Sequence, residues 1–139
     1  MITKQDIKLR DSADMFSILA AFPEQITEAC GIGSKIEPSV SPDSIHNIII
    51  TGLGGSAIGG DLLRSYVQNE IKVPIAVNRN YFLPAYAGSK TLVVVSSYSG
   101  ETEETLSAYN DAKSKGCKIV CVSSGGKLTV LAENDGNLV

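Results

Sequence analysis

The order of apolar and polar positions changes character near residue 46. Before it, Met15, Phe16, Ile18, Leu19, Phe22, Ile26 and Ala29 recur at helical spacing between Ser12 and Cys30. Pro23 interrupts that run. Lacking a backbone N–H, it fits the first turn of a second helix better than the middle of one. The first ten residues are weakly patterned, and residues 31–46, rich in Gly, Ser and Pro, read as a loop.

Beyond residue 46 the pattern becomes short apolar runs, each followed by a glycine or serine cluster. Asn47–Thr51 is a first predicted strand, leading through Gly52-Leu53-Gly54-Gly55-Ser56 into a helix that ends near Tyr66. Lys72–Val77 is a second strand, and Pro74, which cannot donate to a ladder, predicts a sheet edge for it. Thr91–Val95 is a third, apolar along its run and therefore expected to be buried on both faces. Ser97–Thr105 leads into a helix reaching about Lys115, which Gly116 ends; Cys117–Val122 is the fourth strand. Ser123-Ser124-Gly125-Gly126 then opens a last helix through Leu131. Strand, turn and helix repeated in this way predict a doubly wound parallel α/β sheet. Right-handed crossovers bring the turns after strands one, three and four to one carboxyl edge. The expected division is a helical segment and loop over 1–46 and a ligand-binding domain over 47–139. A fifth parallel strand is expected after Val139, so the domain reads as truncated before its fifth strand.

Composition removes several classes of function. With 43% hydrophobic and 19% charged residues over 139 positions, the chain can bury an ordinary globular core. The net charge is −3 and no Lys/Arg block occurs, which argues against nucleic acid as a partner. No apolar run approaches the roughly 20 residues of a membrane span, and Met1–Asp6 lacks a signal-peptide core, so a cytoplasmic location is expected. Cys30, Cys117 and Cys121 form no C-x-x-C, and His46, the one histidine, cannot complete a zinc set near them. Buried free thiols, a surface loop for His46 and no metal site are the expectation. An anionic ligand would therefore be held by backbone N–H groups and hydroxyls.

Two loops offer such groups. In Gly52-Leu53-Gly54-Gly55-Ser56-Ala57-Ile58-Gly59-Gly60, glycines allow a tight turn, and the helix start that follows presents free N–H donors and partial positive charge. Ser56 adds a hydroxyl, or serves only as an N-cap. The same residues satisfy Gly52-x-Gly54-x-x-Ala57, a dinucleotide fingerprint, but strand two ends in Asn78-Arg79 where a ribose-binding acid is wanted. Arg79 keeps a 2′-phosphate cofactor, and so an NADP-binding reductase domain, open as an alternative. In the second loop, Ser97, Ser99 and Thr102 surround Gly100 at a helix start, and neutral donors converging there suit a phosphate monoester. The competing reading is capping, with Ser99 as N-cap and Glu101, Glu103 and Glu104 favouring the helix dipole. Those acids would repel a phosphate if they pointed inward, so they are expected to face solvent or a partner. The third turn, Ser123–Leu128, either closes the sugar side of the pocket or merely caps its helix.

At these residues the chain resembles the sugar isomerase (SIS) family, and more narrowly the amino-terminal half of the bifunctional phosphoglucose/phosphomannose isomerases. The stretches that carry the resemblance are Phe22–Ile26, Gly52–Gly60, Asn80–Pro84, Ser97–Thr105 and Ser124–Leu128. It implies a flavodoxin-like three-layer fold, a homodimer and a second SIS domain in each subunit. It also implies that Gly54, Gly55, Ser56, Ser97, Ser99 and Thr102 bind the phosphate of a hexose 6-phosphate. The reaction it implies is proton transfer without a cofactor between C1 and C2. Nothing in residues 1–139 matches the family's catalytic base or ring-opening histidine, which belong to later segments, and the isolated chain is expected to be inactive. A non-catalytic SIS module that senses a sugar phosphate remains the second alternative.

Overall fold

The computed structural model describes residues 3–37 and 40–139. The backbone forms two compact units, residues 1–38 and 39–139.

The first unit is helical. Helix α1 spans Lys4–Arg10, where the apolar pattern is weak. It is started by a capping box in which Thr3 and Asp6 satisfy each other's backbone N–H groups. Helix α2, Met15–Ala20, begins on the Asp11 carboxylate, which accepts from the Met15 and Phe16 N–H groups at 2.8 and 2.7 Å. Helix α3, Phe22–Gly33, carries Pro23 in its first turn as expected, but runs through Gly31 and Gly33 into what composition reads as loop. None of these helices has a buried residue. Cys30 is exposed here, correcting the expectation of a buried thiol.

The second unit opens with a 3₁₀ turn over Pro42–Ser44, and His46 lies in an exposed link to the sheet. Strand β1 (Asn47–Thr51) is followed by α4 (Gly55–Val67), β2 (Ile75–Asn78), β3 (Thr91–Ser96), α5 (Glu103–Ser114), β4 (Lys118–Val122) and α6 (Gly126–Asn134). The strands pair in parallel in the order β2-β1-β3-β4, with β2 at the edge that Pro74 predicts. Register divides the faces. Ile49 pairs with Val93, and Val93 with Ile119, on the face that packs against Tyr109, Leu128 and Ala132. Ile50 and Val77 lie on the other face, where α4 comes so close that a Cβ on Gly60 would stand 2.9 Å from the Ile50 side chain. Helices on both faces of a parallel sheet make the doubly wound, three-layer α/β fold.

Strand β3 is not buried on both faces. Thr91, Val93 and Val95 are sealed, whereas Leu92, Val94 and Ser96 are half-exposed, because α4 lies over β1 and β2. A fifth strand position also occurs earlier than expected: Leu138 bridges Val120 in parallel, and its carbonyl accepts from the Cys121 N–H at 2.8 Å. Cys121 is buried, with its thiol pushed up to about 11 by desolvation, and Cys117 is half-buried.

A polar network beneath α6 holds this last turn. The Tyr109 hydroxyl donates to the Asp135 carboxylate at 2.7 Å and accepts from the Asn137 amide at 2.9 Å, while Lys113 reaches Asp135 at 2.6 Å. Burial, with the nearby carboxylate, drives the Tyr109 hydroxyl up to about 12. Tyr109→Phe leaves both partners without it and is expected to cost about 1–3 kcal/mol in urea unfolding, with the denaturant slope unchanged.

Candidate functional site

Chain direction diverges between the two central strands. From β1 the chain passes through α4 to β2, and from β3 through α5 to β4, on opposite sides and opposite faces. A crevice opens at the carboxyl ends of strands where connections diverge in this way. The loops leaving β1 and β3 are the glycine loop and the hydroxyl loop. They start side by side, since Thr51 pairs with Val95.

The glycine loop presses against its neighbour. A Cβ on Gly52 would stand 2.8 Å from the Ser96 carbonyl oxygen and 3.1 Å from the Ser56 Cβ, so only glycine fits. Gly54 turns the chain with φ +54° and occupies the N-cap of α4, where no side chain caps the first turn. Ser56 is half-buried in that turn. A brace from β2 fixes the loop: the buried Asn78 amide donates to Thr51 Oγ1 at 3.2 Å and to the Asn80 carbonyl at 3.0 Å. Its own carbonyl accepts from the Gly52 N–H at 3.2 Å. Arg79 is held by Asp61, which also pairs with Arg64 at 3.4 Å. The cation on which a 2′-phosphate cofactor would depend is thus already engaged by a carboxylate.

In the hydroxyl loop, Ser97 is buried and its Oγ lies 3.1 Å from Thr102 Oγ1. Ser99 Oγ accepts from the Glu101 N–H at 3.2 Å, which leaves its own proton free to donate outward. The N-cap of α5 is Thr102, not Ser99, and its hydroxyl makes no capping bond. The capping alternative is corrected accordingly: the hydroxyls of Ser97 and Thr102 face each other instead of closing the helix. One turn on, Thr105 is buried and its hydroxyl has no partner among the described residues.

The third turn is laced to the second. Ser124 donates to the Tyr98 carbonyl from its N–H at 3.1 Å and its hydroxyl at 2.5 Å, and the Leu128 N–H donates to the Gly100 carbonyl at 3.0 Å. Gly100, at φ +67°, passes so close that a Cβ there would fall 1.8 Å from the Gly125 carbonyl oxygen. Glu101 faces this third turn, accepting from the Lys127 N–H at 2.9 Å and pairing with Lys127 Nζ at 3.0 Å. Those bonds hold its carboxyl below the usual glutamate range, so it stays charged as pH falls and releases the pair only below that lowered value. The bonds from Asn78 to Thr51, Arg79 to Asp61 and Lys127 to Glu101 carried no sequence signal, because they join residues 18 to 27 apart.

Fold and crevice together define a doubly wound α/β domain with glycine- and hydroxyl-rich loops meeting at its switch point. No family model matches the chain. A bifunctional phosphoglucose/phosphomannose isomerase of Caldicellulosiruptor bescii is 57% identical over 122 residues, covering 88% of this chain and 36% of that protein. A protein of the same name from Thermoplasma acidophilum is 37% identical over 95 residues, 68% of this chain and 30% of its own length. The chain thus matches about a third of the length of these curated relatives. Among solved structures, the tagatose-6-phosphate ketose/aldose isomerase of Escherichia coli superimposes with a TM-score of 0.54 at 24% identity, over 67% of this chain and 28% of that one. That likeness speaks to the fold. On the sequence relatives, the chain belongs to the sugar isomerase (SIS) family.

The contact between loops two and three sets a prediction. Gly100→Ala combines a left-handed φ with a backbone clash, whereas Gly136→Ala has φ +70° but nothing within 4 Å of the added Cβ. Gly136→Ala is expected to cost about 1–2 kcal/mol and Gly100→Ala clearly more, as read by urea unfolding of the two variants side by side.

Proposed function

We propose that this chain is the sugar-phosphate-binding part of an aldose–ketose isomerase that interconverts glucose 6-phosphate or mannose 6-phosphate with fructose 6-phosphate. In this reading Gly54, Gly55 and Ser56 cradle the phosphate from one side, and Ser97, Ser99 and Thr102 from the other. The observation that carries it is the meeting of these two loops at the switch point, with Gly52 against Ser96, in a chain 57% identical to an isomerase of that name. A phosphate monoester presents many acceptor oxygens, and converging N–H and O–H donors answer it without a cation. The Arg79–Asp61 pair weighs against the NADP alternative. Isomerisation needs no electron carrier, only a base and an acid near C1 and C2. The whole enzyme in this reading has a second SIS domain, which contributes those groups, and assembles as a homodimer.

Ser99→Ala removes a hydroxyl that donates to a charged oxygen. Calorimetric titration with fructose 6-phosphate is expected to show affinity lower by about 1.5–3 kcal/mol, with the fold retained. Equal affinity in the variant and the parent chain would remove Ser99 from the cradle. A coupled assay on the 139-residue chain is expected to show no turnover of fructose 6-phosphate. Activity that survives repurification and scales with protein would overturn that expectation.

A further inference from the structure

Glu101 stands between Gly100 and Thr102, inside the loop assigned to the phosphate. A carboxylate there would oppose an anionic ligand unless its charge were held elsewhere. Two features hold it. Helix α6 starts at Gly126 on an N-cap glycine, Gly125, which has no side chain to cap it. Glu101 Oε1 supplies the missing cap from another loop, by accepting from the Lys127 N–H, and Oε2 pairs with Lys127 Nζ. The helix start offers partial positive charge to that carboxylate and the ammonium a full one. The pair is open to solvent, with side-chain exposures of 48% for Glu101 and 72% for Lys127. Such pairs add little to stability. Its consequence lies in where the negative charge sits.

We infer that Lys127 is a positioning residue for anion binding. By holding the Glu101 carboxylate on the start of α6, it keeps that charge out of the cradle without touching the ligand itself. The inference deepens the phosphate-binding reading and rests on it. It also gives the third turn a role distinct from that of the first two. The α6 terminus is occupied by a protein carboxylate, so Ser124 and Lys127 shape the hydroxyl loop instead of contacting phosphate.

A double-mutant cycle tests this, read by titration of the chain with inorganic phosphate and with fructose 6-phosphate. Glu101→Gln keeps an oxygen to cap α6 and removes the charge; Lys127→Met removes the ammonium, and Lys127→Arg retains a cation. Lys127→Met is expected to weaken both ligands on the order of five-fold at low salt, and less in 0.5 M salt, where exposed charges are screened over a few ångströms. Lys127→Arg should bind like the parent chain. Combined with Glu101→Gln, Lys127→Met should change affinity less than two-fold, since no carboxylate remains to be held. An equal loss in both backgrounds would mean that Lys127 acts on the ligand directly, and no loss in either would mean that the pair does not matter; both overturn the inference. If the parent chain binds and Ser99→Ala weakens it while Lys127→Met does not, only this inference falls. A folded parent chain that takes up neither ligand removes the cradle reading and this one together.

Discussion

The parallel pairing of β1 with β3 is the constraint on which the rest depends. Two strands adjacent in the sheet but separated in sequence by a helix, an edge strand and a loop end at the same level, Thr51 beside Val95. Their loops must then share one small volume. Gly52 meets that demand by having no side chain, since any Cβ would run into the Ser96 carbonyl. A helix starts from each loop, and in the second the Ser97 and Thr102 hydroxyls lie against each other beside Ser99. The anion binding proposed for these loops would call on N–H and O–H donors and on no cationic side chain, in a chain of net charge −3.

The loops are held from both sides by bonds between distant residues. On the β2 side, Asn78 ties Thr51, Gly52 and Asn80 together, and its burial makes those bonds costly to lose. On the β4 side, the third turn is laced to the second through Tyr98, Gly100 and Glu101. The connection from β2 to β3 contributes as well. It forms no helix but buries Leu83 and Ala87 in the core, where Asp111 and Lys115 of the α5 region take the Leu83 N–H and carbonyl. A rigid frame of this kind is what a small anion site requires, because its hydroxyls must be aimed before the ligand arrives.

The resemblance to the sugar isomerase family and the two facing loops rest on many of the same residues. The serines and glycines that carry the family resemblance are the ones gathered at the switch point. The acids of that stretch are used differently from one another. Glu101 is clamped onto α6, while Glu103 and Glu104 occupy the first turn of α5, where they favour its dipole and raise the hydroxyl of the neighbouring Tyr81. The acids of this stretch thus stand at two helix starts, Glu101 bonded to that of α6 and the other two within that of α5.

Much of the architecture was legible in the chain. Alternating apolar runs and glycine or serine clusters prescribed four strands, their helices and one carboxyl edge, because strand period, helix period and turn chemistry are local properties. Pro74 marked the edge strand, since a missing N–H is a property of the residue itself. The composition of both loops already implied neutral donors. Other features depended on what folding brings near. The exposure of one face of β3 depends on how far α4 extends over the sheet, and hydropathy carries no record of that. Helix α1 begins on a reciprocal Thr3–Asp6 cap rather than on an apolar stripe. That Asn78 braces the first loop follows from its distance to Thr51, which lies 27 residues earlier in the chain. The direction of Glu101 was set in the same way, by a helix start and a lysine 26 residues further on, which only the packed α/β layers bring within reach.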